Sequence, residues 1–457
     1  MKWRIVLTVL FVITLFAGFA YLYVNAFVRQ RQHAVILFVV NGLDLNTLNQ
    51  ARQQLGRPPV RGEPDDPAIS DTRRRIAYRS SMLNLDTFWN IALLGVQQPG
   101  QPVPDEGANA TALACGQRVE NSFVAFNNRN EALQSLIYVA EQSRRATGLV
   151  TTSSLVQPTP VAFYSTTKGT PEPYRNANDL VYSGIDVVLG GGERYFTPAN
   201  ASNEGGRRDG RNLFNELKEV KNKKYTILHS RDDLNNVSTW SAGTLFGVFA
   251  PDQFYFSSLQ PDHPRQPSLA EMTRVAVSRL NNIGNYFLVV EDGLVARASE
   301  QNLGKLASNE VAQVDEAIQS AIEYAGPDAL VLVTNNYNLG AVGQLPSLSA
   351  GDFSTLPKGT ENPIVSKAPE AQPAWLTGPG GPAITRTQTA WVRQQYANGS
   401  FSTNAPGLLQ PQLAFRFQAR AFPTSEPAWL ASRGEGSSQF RGFFNNTDLF
   451  DLICEQF

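Results

Sequence analysis

Three histidines and two cysteines are all that this chain of 457 residues supplies of the usual metal and redox side chains. Two cysteines, Cys115 and Cys454, cannot build a disulfide framework or a thiolate zinc cluster. His33, His229 and His263 are scattered: one follows an apolar run, one ends a β-rich run in ILHSRDD, and one sits in a polar loop. Such spacing suits exposed or locally bonded imidazoles, not a shared metal site. Neither sign of charge is in excess. Lys and Arg number 39 and Asp and Glu 40, so a net charge of -1 gives no general electrostatic reason to bind nucleic acid. Hydrophobic residues make up 42% and charged residues 17%, which excludes global disorder and permits a large core.

What the sequence does have is one long charge-free stretch, Ile5 to Val28, flanked by Lys2 and Arg4 before it and Arg29 and Arg31 after it. About 20 apolar residues cross a bilayer as a helix, whereas the apolar core of a cleavable signal spans only ~7–15. The pattern therefore predicts residues 1–4 as a cytoplasmic N-terminus and residues 5–28 as a transmembrane signal-anchor helix in place of a cleaved signal peptide. The large domain is then extracytoplasmic, periplasmic in a bacterium. The linker Arg29–His33 is short, which predicts a body held against the membrane as a fixed part of an assembly.

Beyond the anchor, continuous apolar runs alternate with amphipathic stretches. Strands are expected at Ala34–Val40, Gly148–Thr152, Asp186–Leu189, Tyr225–Leu228, Tyr286–Glu291 and Ala329–Thr334, since strands buried on both faces read as unbroken apolar runs. Helices are expected at Asn130–Arg144, Asp209–Lys218, Ser268–Asn281, Asn309–Tyr324 and Thr447–Glu455, with Ser268 and Glu271 spaced as a capping box. The alternation predicts the fold class: α/β, a doubly wound, mostly parallel sheet flanked by helices, in one domain over residues 34–457. A segment rich in Pro, Gly, Ser and Thr at about 345–424 reads as an irregular insertion. In such sheets chemistry sits past the carboxyl ends of the strands, here Asn41-Gly42, Ser153–Thr159, Gly190–Gly192, Glu291–Gly293 and Asn335–Asn338.

Several segments, in order, resemble the alkaline phosphatase family: VILFVVNGLDLNT, VPDEGANATALACG, GLVTTSSLVQPTPVAFYS, IDVVLGGGERYF, QPSLAEMTRVAVSRL, YFLVVEDGLVARASEQN, ALVLVTNNYN and RGEGSSQFRGFFNNTDLFDLI. The resemblance implies a phosphomonoesterase with two zinc ions, one magnesium ion and a serine nucleophile. Position by position, this chain departs from that pattern. Asn41 stands where the resemblance implies an Asp shared by two metals, and Glu106 where it implies the nucleophilic serine. Ala296 and Glu300 replace a zinc-binding Asp and His. Asn336 and Tyr337 replace an Asp-His pair, and Pro423 falls at the last zinc-binding His. Glu291, a magnesium carboxylate, and Thr159, a magnesium-side hydroxyl, are kept, with Gln157 in place of a nearby His. The phosphate-binding Arg falls near Thr170, where Lys168 and Arg175 are imperfect substitutes.

These departures predict a catalytically inactive, alkaline phosphatase-like pseudoenzyme with no cofactor. Its expected role is as a structural or interaction subunit of a membrane-associated assembly, joined to the membrane through Ile5–Val28, with protein partners or, as the resemblance implies, as a homodimer. Two other readings stay open. Glu106, Glu291, Glu300, Asp44 and Asp292 could hold a hard cation for a residual or altered phosphoester hydrolase, or the old cleft could serve as a ligand-binding module. Around Glu291, Asn41, Gln157 and Thr159 are expected to donate hydrogen bonds in place of a metal, and Arg297 to turn toward Glu106 or Glu300.

Overall fold

The computed structural model of the protein describes residues 3, 10–16, 18, 33–55, 83–96, 103–129, 131–200, 205–220, 224–240, 243–301, 303–339, 342–346, 371–375, 423–424 and 426–457. Its centre is β1, Ala34–Val40, seven residues of which all are buried. Successive strand side chains point to opposite faces. Accordingly Ala34, Ile36, Phe38 and Val40 enter one apolar core, while Val35, Leu37 and Val39 enter another on the far side of the sheet. Truncating the wholly buried Phe38 to Ala would cost ~3–5 kcal/mol.

Nine more strands complete the sheet: β2 Asn90–Gly95, β3 Ala146–Ser154, β4 Val187–Gly191, β5 Tyr225–Leu228, β6 Thr244–Val248, β7 Tyr286–Asp292, β8 Leu330–Asn335, β9 Ala428–Arg433 and β10 Gly442–Asn445. The spatial order is β10-β2-β9-β8-β1-β7-β3-β4-β6-β5. From β8 across to β5 every pairing is parallel; β9 runs antiparallel to both β8 and β2, and β2 pairs parallel with β10.

Helices cover both faces. The first core receives α1 Leu45–Leu55, α7 Arg231–Asn236, α8 Leu269–Asn281, α9 Leu294–Glu300 and α10 Gly304–Ala325. The second receives α2 Glu106–Cys115, α3 Leu136–Gln142, α4 Pro158–Val161, α5 Pro173–Val181, α6 Leu213–Glu219 and α11 Asp448–Cys454. The doubly wound α/β layering is as expected. The capping box at α8 is present: Ser268 Oγ accepts from Glu271 N at 3.1 Å and Glu271 Oε2 accepts from Ser268 N at 2.9 Å. α3 starts later than the expected Asn130, because Ser135 Oγ accepts from Tyr138 N and caps the helix there.

Most of the expected insertion at 345–424 lies outside the described residues. Within and beside it, Val342–Pro346 pairs antiparallel with Ala371–Trp375, and Asn338–Leu339 pairs antiparallel with Pro423–Thr424. Trp429 is a core residue of β9, its indole donating to the Leu43 carbonyl at 2.8 Å.

The membrane anchor expected at Ile5–Val28 requires correction. Among the described residues, no helix is long and apolar enough to cross a membrane. Of that segment the described helical residues are Leu10–Phe16 and Gly18. Apolar composition supplies the length that a span needs, but composition alone does not establish the helix. The fold class is thus the sheet-and-helix domain, with no transmembrane helix among the described residues. The readings that rested on the anchor fall with it: the cytoplasmic residues 1–4, the single-pass extracytoplasmic or periplasmic placement, the attachment through Ile5–Val28, and the subunit role within a membrane-associated assembly; the homodimer rested on the resemblance and not on the anchor.

Candidate functional site

Four neighbouring strands deliver polar residues to one end of the sheet. β1 ends in Asn41, β3 in Ser153 and Ser154, β7 in Glu291 and Asp292, and β8 leads to Asn336 and Tyr337. The turn after β1 is tight. Gly42 has φ +74, and a Cβ there would lie 2.7 Å from the Ala296 Cα, so only glycine lets this turn press against α9. α2 points its first turn at the same place. Asp105 caps it, accepting from Ala108 N at 2.8 Å, and Glu106 is its first helical residue.

These elements surround a cavity of about 150 Å³ lined by Asn41, Glu106, Ser153, Gln157, Gln253, Gly293, Ala296, Arg297, Glu300 and Tyr337. The structure therefore brings together most of the expected positions. Thr159 lies beneath, wholly buried, and Asn336 is buried beside it. Pro423 sits instead on the short ladder opposite Leu339. None of the three histidines lines the cavity. His33 Nδ1 bonds Asn285 Oδ1 at 2.8 Å, His229 packs edge-on against Phe214, and His263 stacks on Tyr255. Arg175 also lies elsewhere, paired with Glu172 at 3.0 Å, and Lys168 rests over the Phe126 ring. A larger cavity of about 310 Å³, whose lining includes Phe249, Tyr255, His263 and Arg265, contains none of the positions expected for chemistry.

Glu291 is the hub. Its Oε1 accepts from Asn41 Nδ2 at 2.8 Å and from Ser153 Oγ at 3.0 Å, and its Oε2 accepts from Thr151 Oγ1. Of the expected donors only Asn41 reaches it. Thr159 serves Glu106 instead: its Oγ1 and N donate to Glu106 Oε1 at 2.7 and 3.2 Å. Gln157 lines the cavity wall as the N-cap residue of α4. Asn336 Nδ2 donates to the Glu106 carbonyl at 3.1 Å and to Thr159 Oγ1 at 3.2 Å, and Tyr337 OH donates to Glu300 Oε1 at 3.3 Å. Arg297 does reach the cavity, but it donates to the Phe254 carbonyl at 3.1 Å and lies over the Phe256 ring; burial lowers its proton affinity, which Tyr255 and Glu300 partly oppose. Thr151 and Gln253 were not expected from the sequence; Ser153 was expected only as the start of the strand end Ser153–Thr159.

The electrostatics are those of crowded carboxyls. Burial pushes Glu291 well above the ordinary glutamate value; the Thr151 bond opposes this, and the charges of Asp292 and Glu106 add to it. Burial also raises Glu106, against two Thr159 bonds, with Glu300 contributing. Glu106 keeps part of its area open to the cavity but is otherwise deep among protein atoms. Asp292 is raised to about 6 by burial, while its oxygens accept from Thr152 Oγ1 at 2.7 Å and Val295 N at 3.0 Å, capping α9. Asp44 is likewise raised to about 6 by burial and accepts from Thr47 N at 2.6 Å.

A paired zinc centre does not fit this donor set. Imidazoles are missing from the cavity lining, and an amide donor, Asn41 Nδ2, faces the Glu291 oxygen that a cation would need. Among the described residues, no group of three His, Cys, Asp or Glu side chains is placed to hold a metal ion.

Residues 34–350 match the family profile described as alkaline phosphatase. Alkaline phosphatase 4 of Bacillus subtilis is 28% identical over 413 residues, covering 82% of this chain and 84% of that protein. The membrane-bound alkaline phosphatase of Bombyx mori is 27% identical over 345 residues, 66% of this chain, which spans only 60% of that relative's length. Among solved structures, Thermus thermophilus alkaline phosphatase superposes with a TM-score of 0.68 over 93% of this chain and 91% of that one at 20% identity. The enzyme from the Antarctic bacterium TAB5 gives 0.65 over 93% and 98% at 19% identity. At such identities the structural likeness shows the fold alone.

Proposed function

This chain belongs to the alkaline phosphatase family, and from that premise we propose that it is a member without phosphomonoesterase activity, acting by binding and not by turnover. The observation that carries this reading is Glu106. It is the first residue of α2, where the resemblance implies the serine nucleophile, and Thr159 holds its carboxyl facing the cavity. An ionised carboxylate there opposes an arriving phosphate: like charges 4 Å apart cost ~4 kcal/mol per unit pair at an effective dielectric of 20. The rise in its proton affinity also depletes the form that could attack phosphorus. In-line displacement further needs cations on the attacking and leaving oxygens, and Asn41, Ala296, Asn336 and Tyr337 offer no set of anionic or imidazole ligands for them. Arg297, the cation of the cavity lining, is engaged with Phe254 and Phe256.

The test is an assay of the purified chain on a generic aryl phosphate with zinc and magnesium supplied. The expected rate equals that of Glu106→Ala and of buffer. Zinc-dependent turnover that Glu106→Ala abolishes would overturn the reading.

A further inference from the structure

Asn41 Nδ2 is 2.8 Å from Glu291 Oε1, 3.2 Å from Thr159 Oγ1 and 3.5 Å from Glu106 Oε1. One nitrogen thus sits among three oxygens that come from β7, α4 and α2, while its own backbone closes β1. We propose that the Asn41 amide is a tethered substitute for a divalent cation, so that the domain is stable without metal and a single change, Asn41→Asp, makes its stability depend on a hard cation such as Mg²⁺.

The chemistry follows from what each atom can do. A carboxamide nitrogen carries two N–H donors and no acceptor, so it can face oxygen atoms as a cation does. Its bond to Glu291 satisfies a carboxyl that is fully buried, a group whose desolvation is costly when nothing compensates it. The other Glu291 contacts, from Ser153 and Thr151, are also hydroxyl donors, so each oxygen of this carboxyl already has a partner within the chain. The other end of the amide lies beside the same hydroxyl: Asn41 Oδ1 is 3.3 Å from Thr159 Oγ1, whose one proton goes to Glu106 Oε1 at 2.7 Å. A cation entering between Glu291, Glu106 and Thr159 would have to displace the amide that already joins them.

Replacing that nitrogen by oxygen inverts the balance. The Asn41→Asp change would place an acceptor 2.8 Å from the Glu291 oxygen and beside Glu106, so that three carboxyls meet where the amide donor had joined two of them. Like charges at this separation are relieved by a proton or a cation, and carboxylates with a hydroxyl form an oxygen set of the kind Mg²⁺ and Ca²⁺ take. The proposal rests on the family reading above only for the choice of cation.

The experiment is thermal unfolding of the whole chain in EDTA and in millimolar Mg²⁺. Wild type is expected to melt at the same temperature in both. Asn41→Asp is expected to melt lower than wild type in EDTA by about 4 °C or more and to recover most of that loss with Mg²⁺. Should Asn41→Asp not accumulate folded, Asn41→Asp with Glu291→Gln replaces it. The added amide restores a donor between the two positions, so the pair should fold and melt independently of Mg²⁺. A wild type raised by Mg²⁺, an Asn41→Asp indifferent to it, or a double variant that still needs it would each overturn the proposal. Mg²⁺ stabilisation of wild type without phosphatase turnover would sink this inference and leave the catalytic reading standing; turnover in a wild type that Mg²⁺ does not stabilise would do the reverse.

Discussion

Glu291 accepts from three donors, Asn41, Ser153 and Thr151, and burial holds its proton affinity well above the ordinary value. A glutamine there keeps an acceptor for Asn41, and its amide N–H can donate to a threonine hydroxyl. Glu291→Gln is therefore expected to change stability by less than ~1 kcal/mol, whereas Glu291→Leu leaves buried donors unpaired and should cost ~1–3 kcal/mol. Urea titration of the three proteins measures both; a glutamine variant as unstable as the leucine variant would show that the carboxyl must be charged. Residue identity foretold part of this centre. Asn41 and Thr159 are found around it because they belong to strand ends that the apolar runs mark, and Glu106 because VPDEGANATALACG resembles the family's nucleophile segment. Thr151 escaped because it reaches Glu291 through register, lying directly across the β3–β7 ladder from it. Register between strands 140 residues apart is set by packing of the whole sheet, and a single sequence does not carry it in readable form.

At the scale of elements, the longest helix carries a charge that no periodicity would place inside. Glu310 on α10 is 2% exposed and accepts from both Ser257 N and Ser257 Oγ at 2.8 Å, fastening the turn Ser257–Asp262 to the helix. Burial, and then the charge of Asp292, raise its carboxyl to about 8. A carboxyl raised on folding takes up a proton when the chain folds, so its contribution is fully present below the unfolded value of 4.5 and is lost as pH rises through about 8. Wild type should accordingly lose stability between pH 5 and pH 8 by more than Glu310→Gln, which keeps the acceptor and removes the titration. Denaturation midpoints taken across that range compare the two slopes, and parallel curves would mean that Glu310 stays ionised. Elements with strong local signals were legible: β1 and β5 have the bounds that their apolar runs predict, and α8 starts at its capping box. β2, β9 and β10 were harder, since they form the antiparallel-containing edge, where Ile91, Leu93 and Phe443 are exposed and the runs are short or interrupted.

For the molecule as a whole, two helices that close the second core each end in a cysteine, and the two thiols are free. Cys115, the last residue of α2, is 5% exposed, its thiol donating to the Ala162 carbonyl at 3.6 Å. Burial pushes it up to about 12, so little thiolate forms while the fold is intact. Cys454 ends α11 near the chain terminus, is partly exposed, and is raised to about 11 by burial and the Asp451 charge. Cys454 is partly open to solvent and can be reached without opening the core, whereas reaching Cys115 means separating α2 from α4 and from the sheet, a change comparable to global unfolding. Alkylation of the native protein, followed by peptide mass mapping, should therefore modify Cys454 first. Cys115 should react at a rate that rises steeply with low urea, as the globally open population does. Equal labelling of both thiols in the absence of denaturant would mean that α2, the helix that positions Glu106, opens on its own. The centre around Glu106 and Glu291 would then be a locally mobile cleft and not part of the cooperative core, and the cost assigned to Glu291→Leu would shrink with it.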